Sequence, residues 1–179
     1  MDQGTLESKW EGLLFDIRRS VRYHNRRRAF YDRLDQFTNV ISLIFGSTAI
    51  YSVLGEHNKI WAVLSGAVVS IFAAINLVIG SSQRSRNHFD LSKSFVDLES
   101  KMIKEPVPSE QLLREVTSLR LSIEKDEPPV LRVLDSICYN EQLLAMDYPV
   151  NQMIKISFCQ NLFAQFFDWR ASTLRKMTT

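Results

Sequence analysis

The pattern of apolar and polar positions is dominated by two long runs without a charged residue, at residues 37–54 and 60–80. At about 1.5 Å of rise per residue, a helix of either length can cross a hydrocarbon core roughly 30 Å thick. Only residues 55–59 separate the runs. The pattern therefore predicts two transmembrane helices that form an antiparallel hairpin, with both chain ends on the same side of the membrane.

Helical periodicity continues on both sides of this hairpin. Apolar residues recur every three or four positions from Leu6 to Val21, behind Thr5 as a candidate N-cap. Neither Pro nor Gly interrupts residues 13–45, so this helix is expected to run directly into the first span. The second span is expected to continue past Gly80 until the prolines at 106 and 108.

Three further helices are predicted in the rest of the chain. Ser109 is expected to cap the first, Pro128 and Pro129 to open the second, and residues 150–176 to form the third, which carries an aromatic stripe. That stripe has two interpretations, a bundle core or subunit interface, and a helix lying on the inner leaflet. The predicted class is an all-α membrane protein: a two-span hairpin with long cytoplasmic helix extensions and a C-terminal cytoplasmic helical bundle.

The distribution of charge predicts the orientation of the hairpin in the membrane. Residues 17–33 hold seven arginines against one acid, and further basic residues follow the second span. Because positive residues close to a span stay in the cytoplasm, both termini are expected there. The domains are then a basic juxtamembrane helix at 1–36, a hairpin at 37–80 and a cytoplasmic helical region at 81–179.

Small residues stand four apart along the second span and form a ladder of Ala62, Gly66, Ser70 and Ala74. Small residues let helix backbones approach closely in lipid. Two interpretations stay open. The ladder packs on the first span, where Ser42 and Gly46 form a matching pair, or it packs against another copy of the chain.

Polar side chains inside the spans are candidates for lining a pore. Asn39 and Asn76 are expected at similar depth near the cytoplasmic ends of the two spans, and Ser42 and Ser65 lie further along. One interpretation is a hydrogen bond between the helices, and the other is the wall of a neutral, weakly selective pore.

The juxtamembrane segment RYHNRRRAFYDRLD, residues 22–35, supplies candidate contacts to lipid headgroups or to a phosphate group. These candidates are Arg22, Tyr23, His24, Arg26, Arg27 and Arg28. A third possibility is that the acidic segment 106–149, with eight acids against four bases, docks on these arginines.

Signatures of catalysis are missing from the sequence. The three histidines are expected to lie far apart, and no zincin, nucleophile-elbow or phosphate-loop motif is present. The two cysteines fall in the predicted cytoplasmic region, where a disulfide is not expected. We therefore expect a non-enzymatic protein without a metal or cofactor, and no direct binding of nucleic acid.

The juxtamembrane segment, followed directly by a two-span hairpin and a cytoplasmic helical region, resembles the SLATT domains of bacteria over nearly the whole chain. The resemblance implies a membrane effector of a bacterial conflict system. Such an effector oligomerises into a pore in the inner membrane, and its signal comes from a nucleotide or a separate sensor protein. It assigns no ligand-binding residue to a position of this chain.

The sequence thus favours a homo-oligomeric, pore-forming effector that contacts membrane lipids and acts in antiviral defence. An alternative is a membrane-anchored interaction module that recruits a soluble partner through its cytoplasmic bundle. A housekeeping channel or small transporter is a third possibility, distinguished by being harmless when overexpressed.

Overall fold

The computed structural model describes residues 2–54, 59–105 and 107–176. Residues 55–58 of the predicted connection at 55–59, and the predicted helix stop at Pro106, lie outside the described residues. The described elements are α1 (Gln3–Leu54), α2 (Lys59–Ile79), α3 (Ser81–Lys104), α4 (Glu110–Glu124), α5 (Arg132–Ala145), a 3₁₀ turn (Val150–Gln152), β1 (Ile154–Lys155), α6 (Phe158–Phe163), a 3₁₀ turn (Ala171–Thr173) and β2 (Arg175–Lys176). The chain is mostly helical, which confirms the all-α class.

The continuity of α1 is confirmed, because this helix extends without a break from Gln3 to Leu54. Thr5 as its N-cap is wrong, since the helix already begins at Gln3. The second helix continues past Gly80 as predicted, with one local irregularity: Gly80 itself has a φ of +63° and lies between α2 and α3. Glycine adopts this left-handed conformation without a Cβ penalty, so the chain can change its local path there.

The chain divides into two compact units, residues 1–27 with 88–179, and residues 28–87. The first, which we call the helical unit, has a core between the start of α1, α3 and α4. Its buried side chains are Leu13, Ile17, Phe95, Leu98, Met102, Leu112, Leu113 and Val116. These positions recur at helical spacing, and each fully buried aliphatic or aromatic side chain contributes about 1.5–3 kcal/mol to stability.

Ser109 caps α4 as predicted, because its side chain accepts a hydrogen bond from the backbone of Leu112. The predicted start of α5 at the proline pair is wrong, since the helix begins at Arg132. The Tyr23 hydroxyl accepts a hydrogen bond from the Leu131 backbone at 3.0 Å. A proline also disfavours helical backbone in the residue before it, which keeps this segment extended.

The predicted long helix at 150–176 is also wrong. The side chain of Asn140 makes two 2.7 Å hydrogen bonds to the backbone of Ile154, which fixes that residue in an extended conformation. Residues of β1 then pair antiparallel with β2. A new helix, α6, starts only where Ser157 and Gln160 form a reciprocal capping box.

The second unit, residues 28–87, contains the end of α1, all of α2 and the start of α3. We call it the hairpin unit. Among the described residues of α1 and α2 in this unit, the buried side chains are the small polar Thr38, Ser52 and Ser65 and one aromatic residue, Tyr31. Large apolar side chains instead point outward, as at Leu77, which is 84% exposed. This distribution is the reverse of that in a water-soluble domain, where apolar side chains fill the interior.

One helix among the described residues is long and apolar enough to cross a membrane, the segment Lys59–Lys104 formed by α2 and α3. Only 6% of its most apolar window is buried inside the chain, whereas the core helix of a soluble protein is mostly buried. This supports membrane association of that helix. Insertion of the first apolar run and the orientation of the termini stay predictions.

Candidate functional site

A polar cleft of about 540 Å³ opens in the hairpin unit, where α1 and α2 lie beside the start of α3. We call it the Asp35 cleft. Its polar lining includes Asp35, Thr38, Asn39, Ser42, Asn76 and Ser81. Three of the four sequence-predicted pore-lining residues, Asn39, Ser42 and Asn76, therefore share one cavity. The fourth, Ser65, does not line this cleft and is buried elsewhere in the unit.

The carboxylate of Asp35 organises this cleft. Asn39, one helical turn away on α1, donates to Asp35 Oδ2 at 3.3 Å. Asn76 of α2 donates to Asp35 Oδ1 at 3.1 Å. The two asparagines are thus linked through Asp35. Asp35 is absent from the sequence-predicted site residues because the predicted span begins at Phe37; a carboxylate one turn before Asn39 was the available signal.

Two buried oxygens of the Asp35 cleft have no hydrogen-bond partner among the described residues, Asn76 Oδ1 and Ser81 Oγ. Ser81 is only 1% exposed, so bulk water does not readily satisfy its hydroxyl. Buried polar groups without a partner are uncommon, because each costs about 1–3 kcal/mol. Because both residues line the cleft, these two oxygens are the candidate ligand atoms for a bound species.

The small-residue ladder does not form a close backbone contact at its glycine. A Cβ at Gly66 would meet no heavy atom within 4 Å outside its own stretch of helix, and the same holds for Gly46. Ala62 and Gly66 are half-buried, while Ser70 and Ala74 are exposed. Part of the ladder thus remains accessible on the surface of the hairpin unit.

The juxtamembrane arginines contact protein in the helical unit. Arg22 donates to Gln142 at 2.7 Å, Arg26 pairs with Glu141, and Arg27 donates to the backbone of Gln165. Tyr23, His24 and Arg27 are buried, whereas Arg28 is exposed and pairs with Asp32 inside the hairpin unit. The contacts of Arg22 and Arg26 with Gln142 and Glu141 support docking of the acidic segment on the arginines, whereas Gln165 lies outside that segment. Headgroup or phosphate contact by these residues stays a prediction.

A second cleft, of about 350 Å³, lies in the helical unit beside Arg19, Arg120 and Asp135. Arg120 contacts Asp16 at 2.9 Å and Glu124 at 2.6 Å, while Arg19 lies 3.4 Å from Asp135. Burial raises the pKa of the Asp135 carboxyl above its ordinary value, which Arg19 opposes. Because acids already pair with both arginines, this cleft has little positive charge left for a phosphate group.

Two histidines that the sequence analysis expected to lie apart are in direct contact, so that expectation is wrong. Nδ1 of His24 and Nδ1 of His88 are 2.9 Å apart, and one ring must donate the proton that the other accepts. Nε2 of His24 lies 3.2 Å from the Glu127 carboxylate, and its ring stacks on Phe95 with centroids 5.6 Å apart. Sequence spacing could not reveal a contact between helices that are 64 residues apart.

The C-terminal aromatic residues form an exposed patch instead of a core. Phe158 is 81% exposed, and Leu162, Phe166, Phe167 and Trp169 are also exposed. Phe163 and Phe167 stack with ring centroids 5.2 Å apart, so the patch has internal order. The interpretation of this stripe as a bundle core is therefore wrong for most of its residues. A contact of the exposed patch with another protein or with lipid stays a prediction.

The two cysteines are free thiols in contrasting surroundings, Cys138 buried and Cys159 exposed. Burial raises the pKa of the Cys138 thiol to about 12. Because the thiolate is the reactive form, we expect a maleimide to modify one thiol per native chain at neutral pH and two after denaturation. Mass spectrometry measures the count, and Cys159→Ser should give a native chain with no modified thiol. Rapid native modification of Cys138 would contradict this environment.

Comparisons with family models, with curated proteins and with solved structures find no match to this chain.

Proposed function

We propose that this chain inserts its two apolar helices into the bacterial inner membrane and assembles with further copies into a pore. The pore permeabilises or depolarises the membrane as the effector of an antiviral conflict system. A nucleotide or a separate sensor protein supplies the signal. In this proposal the protein is not an enzyme, both termini are cytoplasmic and lipids surround the hairpin unit.

The observation that carries the proposal is the reversed polarity of the hairpin unit. Small polar residues such as Ser52 and Ser65 are buried between its helices, and Leu43, Leu77 and Val78 are among its most exposed side chains. Contiguous exposed apolar surface of this kind is unfavourable in water and favourable against lipid. Polar side chains in membrane-spanning helices usually face protein or water. The polar interior and cleft of the hairpin unit are therefore compatible with a water-filled pore formed by several copies.

The test is release of an entrapped dye and of K⁺ from liposomes of phosphatidylethanolamine and phosphatidylglycerol that contain the purified full chain. We expect release by the wild type, either alone or after addition of cyclic or linear nucleotides. An absence of release under all of these conditions, with insertion verified by flotation, would overturn the pore.

The exposed aromatic patch favours one alternative function, a membrane-anchored module that recruits a soluble partner. Phe158 and Phe166 offer the kind of exposed aromatic contacts that protein interfaces use. Replacing both spans by generic Leu-Ala helices distinguishes the two functions. The anchored module would keep its biological activity after this exchange, and the pore would lose it.

A further inference from the structure

We propose that the Asp35 cleft binds a monovalent metal cation such as K⁺ or Na⁺, and that Asp35 makes the assembled pore select cations over anions. The selectivity part rests on the proposed pore, whereas the binding site stands on the geometry of the hairpin unit alone. A selective, charged mouth differs from the neutral and weakly selective pore that the sequence suggested.

The charge of the cleft comes from a carboxylate held by neutral groups. Both groups that donate to Asp35, the side-chain amides of Asn39 and Asn76, orient its oxygens without cancelling its charge. Asp32, one turn earlier, differs in this respect because Arg28 lies 3.5 Å from its carboxylate. Asp35 is therefore the acid of this region that is prepared to attract a cation.

The ligand atoms that remain are neutral oxygens. Asn76 Oδ1 and the hydroxyl of Ser81, both buried and without a partner among the described residues, line the same cleft as Asp35. Hard cations prefer carboxylate, carbonyl and hydroxyl oxygens. A single carboxylate with neutral oxygens matches one positive charge, and divalent sites in proteins commonly recruit more carboxylates.

One group of the cleft opposes this assignment. Arg86 lies at its edge, where its exposed side chain adds a positive charge. A cleft governed by Arg86 would take an anion, and Arg86→Gln would then remove its preference. If the charge of Asp35 determines the ion preference of the cleft, Arg86→Gln raises the preference for cations and Asp35→Asn removes it.

The position of Asp35 also suits selection of ions. It lies one turn before Asn39, at the end of the hairpin where basic residues predict the cytoplasmic side. Assembly of several copies would bring several of these carboxylates to the same mouth, and rings of Asp or Glu are a common basis of cation selectivity.

Binding is tested on the full chain in detergent micelles, without reference to a pore. We expect KCl or NaCl to raise the thermal midpoint relative to choline chloride at equal ionic strength. Asp35→Asn should abolish this difference, and Asp32→Asn should retain it. Equal midpoints of the wild type in all three salts would overturn the cation site.

Selectivity is tested by reversal potentials in planar bilayers with a KCl gradient. We expect the wild type to favour K⁺ over Cl⁻ by about fivefold or more, the factor for one unit charge about 4 Å from the ion in water. Asp35→Asn should conduct with a ratio near one, and Asp32→Asn should keep the wild-type ratio. An unchanged ratio in a conducting Asp35→Asn channel would overturn selection by Asp35, whereas no conductance in any variant would overturn the pore itself.

Discussion

We expect Gly66→Ile to abolish release of dye and ions from liposomes while the protein still inserts. Gly66 lies in the ladder of small residues on α2, and a Cβ there would meet no heavy atom within 4 Å outside its own stretch of helix. The first carbon of a new side chain therefore meets no obstacle within one chain, and insertion is expected to persist. It would block close approach of a second helix, which in lipid depends on small residues.

The expected size of this effect follows from the cost of overpacking, about 1–3 kcal/mol at a well-packed contact. Since 1.4 kcal/mol corresponds to tenfold in an equilibrium constant, one such contact per interface lowers assembly by about tenfold or more. Repetition of the contact around an oligomer increases the loss. Release kinetics and chemical cross-linking measure the two consequences separately.

Ala67→Ile is the matched control for this experiment. Ala67 follows Gly66 directly, is exposed, and points about 100° away around the helix. The control adds a branched side chain at the same depth and should retain release, whereas Ala74→Ile, on the ladder, should lose it. Wild-type release by Gly66→Ile would show that the ladder is not the assembly face.

We expect His24→Ala to destabilise the helical unit by about 3 kcal/mol. The substitution removes a fully buried ring that stacks on Phe95 and leaves a cavity, for which large-to-small changes of this size cost about 2–5 kcal/mol. It also removes the hydrogen-bond partner that His88 Nδ1 has in His24. Denaturant unfolding of the full chain in micelles, followed by hydrogen exchange in α5 peptides, measures the loss.

A double-mutant cycle with His88→Ala isolates the contact between the two rings. Because the two side chains touch, we expect the combined effect to differ from the sum of the single effects by about 1 kcal/mol. Glu11→Ala is a control at an exposed position of the same helix and should change stability by less than about 0.5 kcal/mol. Additive effects of the two histidine substitutions would contradict a direct coupling.

Helix α1 shows most clearly which structural features a sequence pattern can predict. The recurrence of Leu13 and Ile17 at helical spacing predicted their burial, because a helix of 3.6 residues per turn places such positions on one face. The Ser109 cap of α4 was equally readable, since the serine side chain and the backbone it bonds are three residues apart. Both features depend only on neighbours along the chain.

The C-terminal segment shows where local pattern fails. Its apolar residues repeat at helical spacing, yet Asn140 holds Ile154 in an extended conformation and pairing of β1 with β2 takes the place of a long helix. Helix propensity differs by less than about 1 kcal/mol between ordinary residues, so a few tertiary hydrogen bonds are enough to override it.

The sequence by itself determined the all-α class, the continuous first helix and a helix apolar enough to cross a membrane. Each of these follows from composition and from spacing over a few turns. Only the tertiary structure decided that His24 contacts His88, that Asp35 joins Asn39 to Asn76, and that Ser81 shares their cleft. These groups are brought together by the packing of separate helices, whose relative rotation and register are set by many weak contacts at once and have no signature in the spacing of residues along the chain.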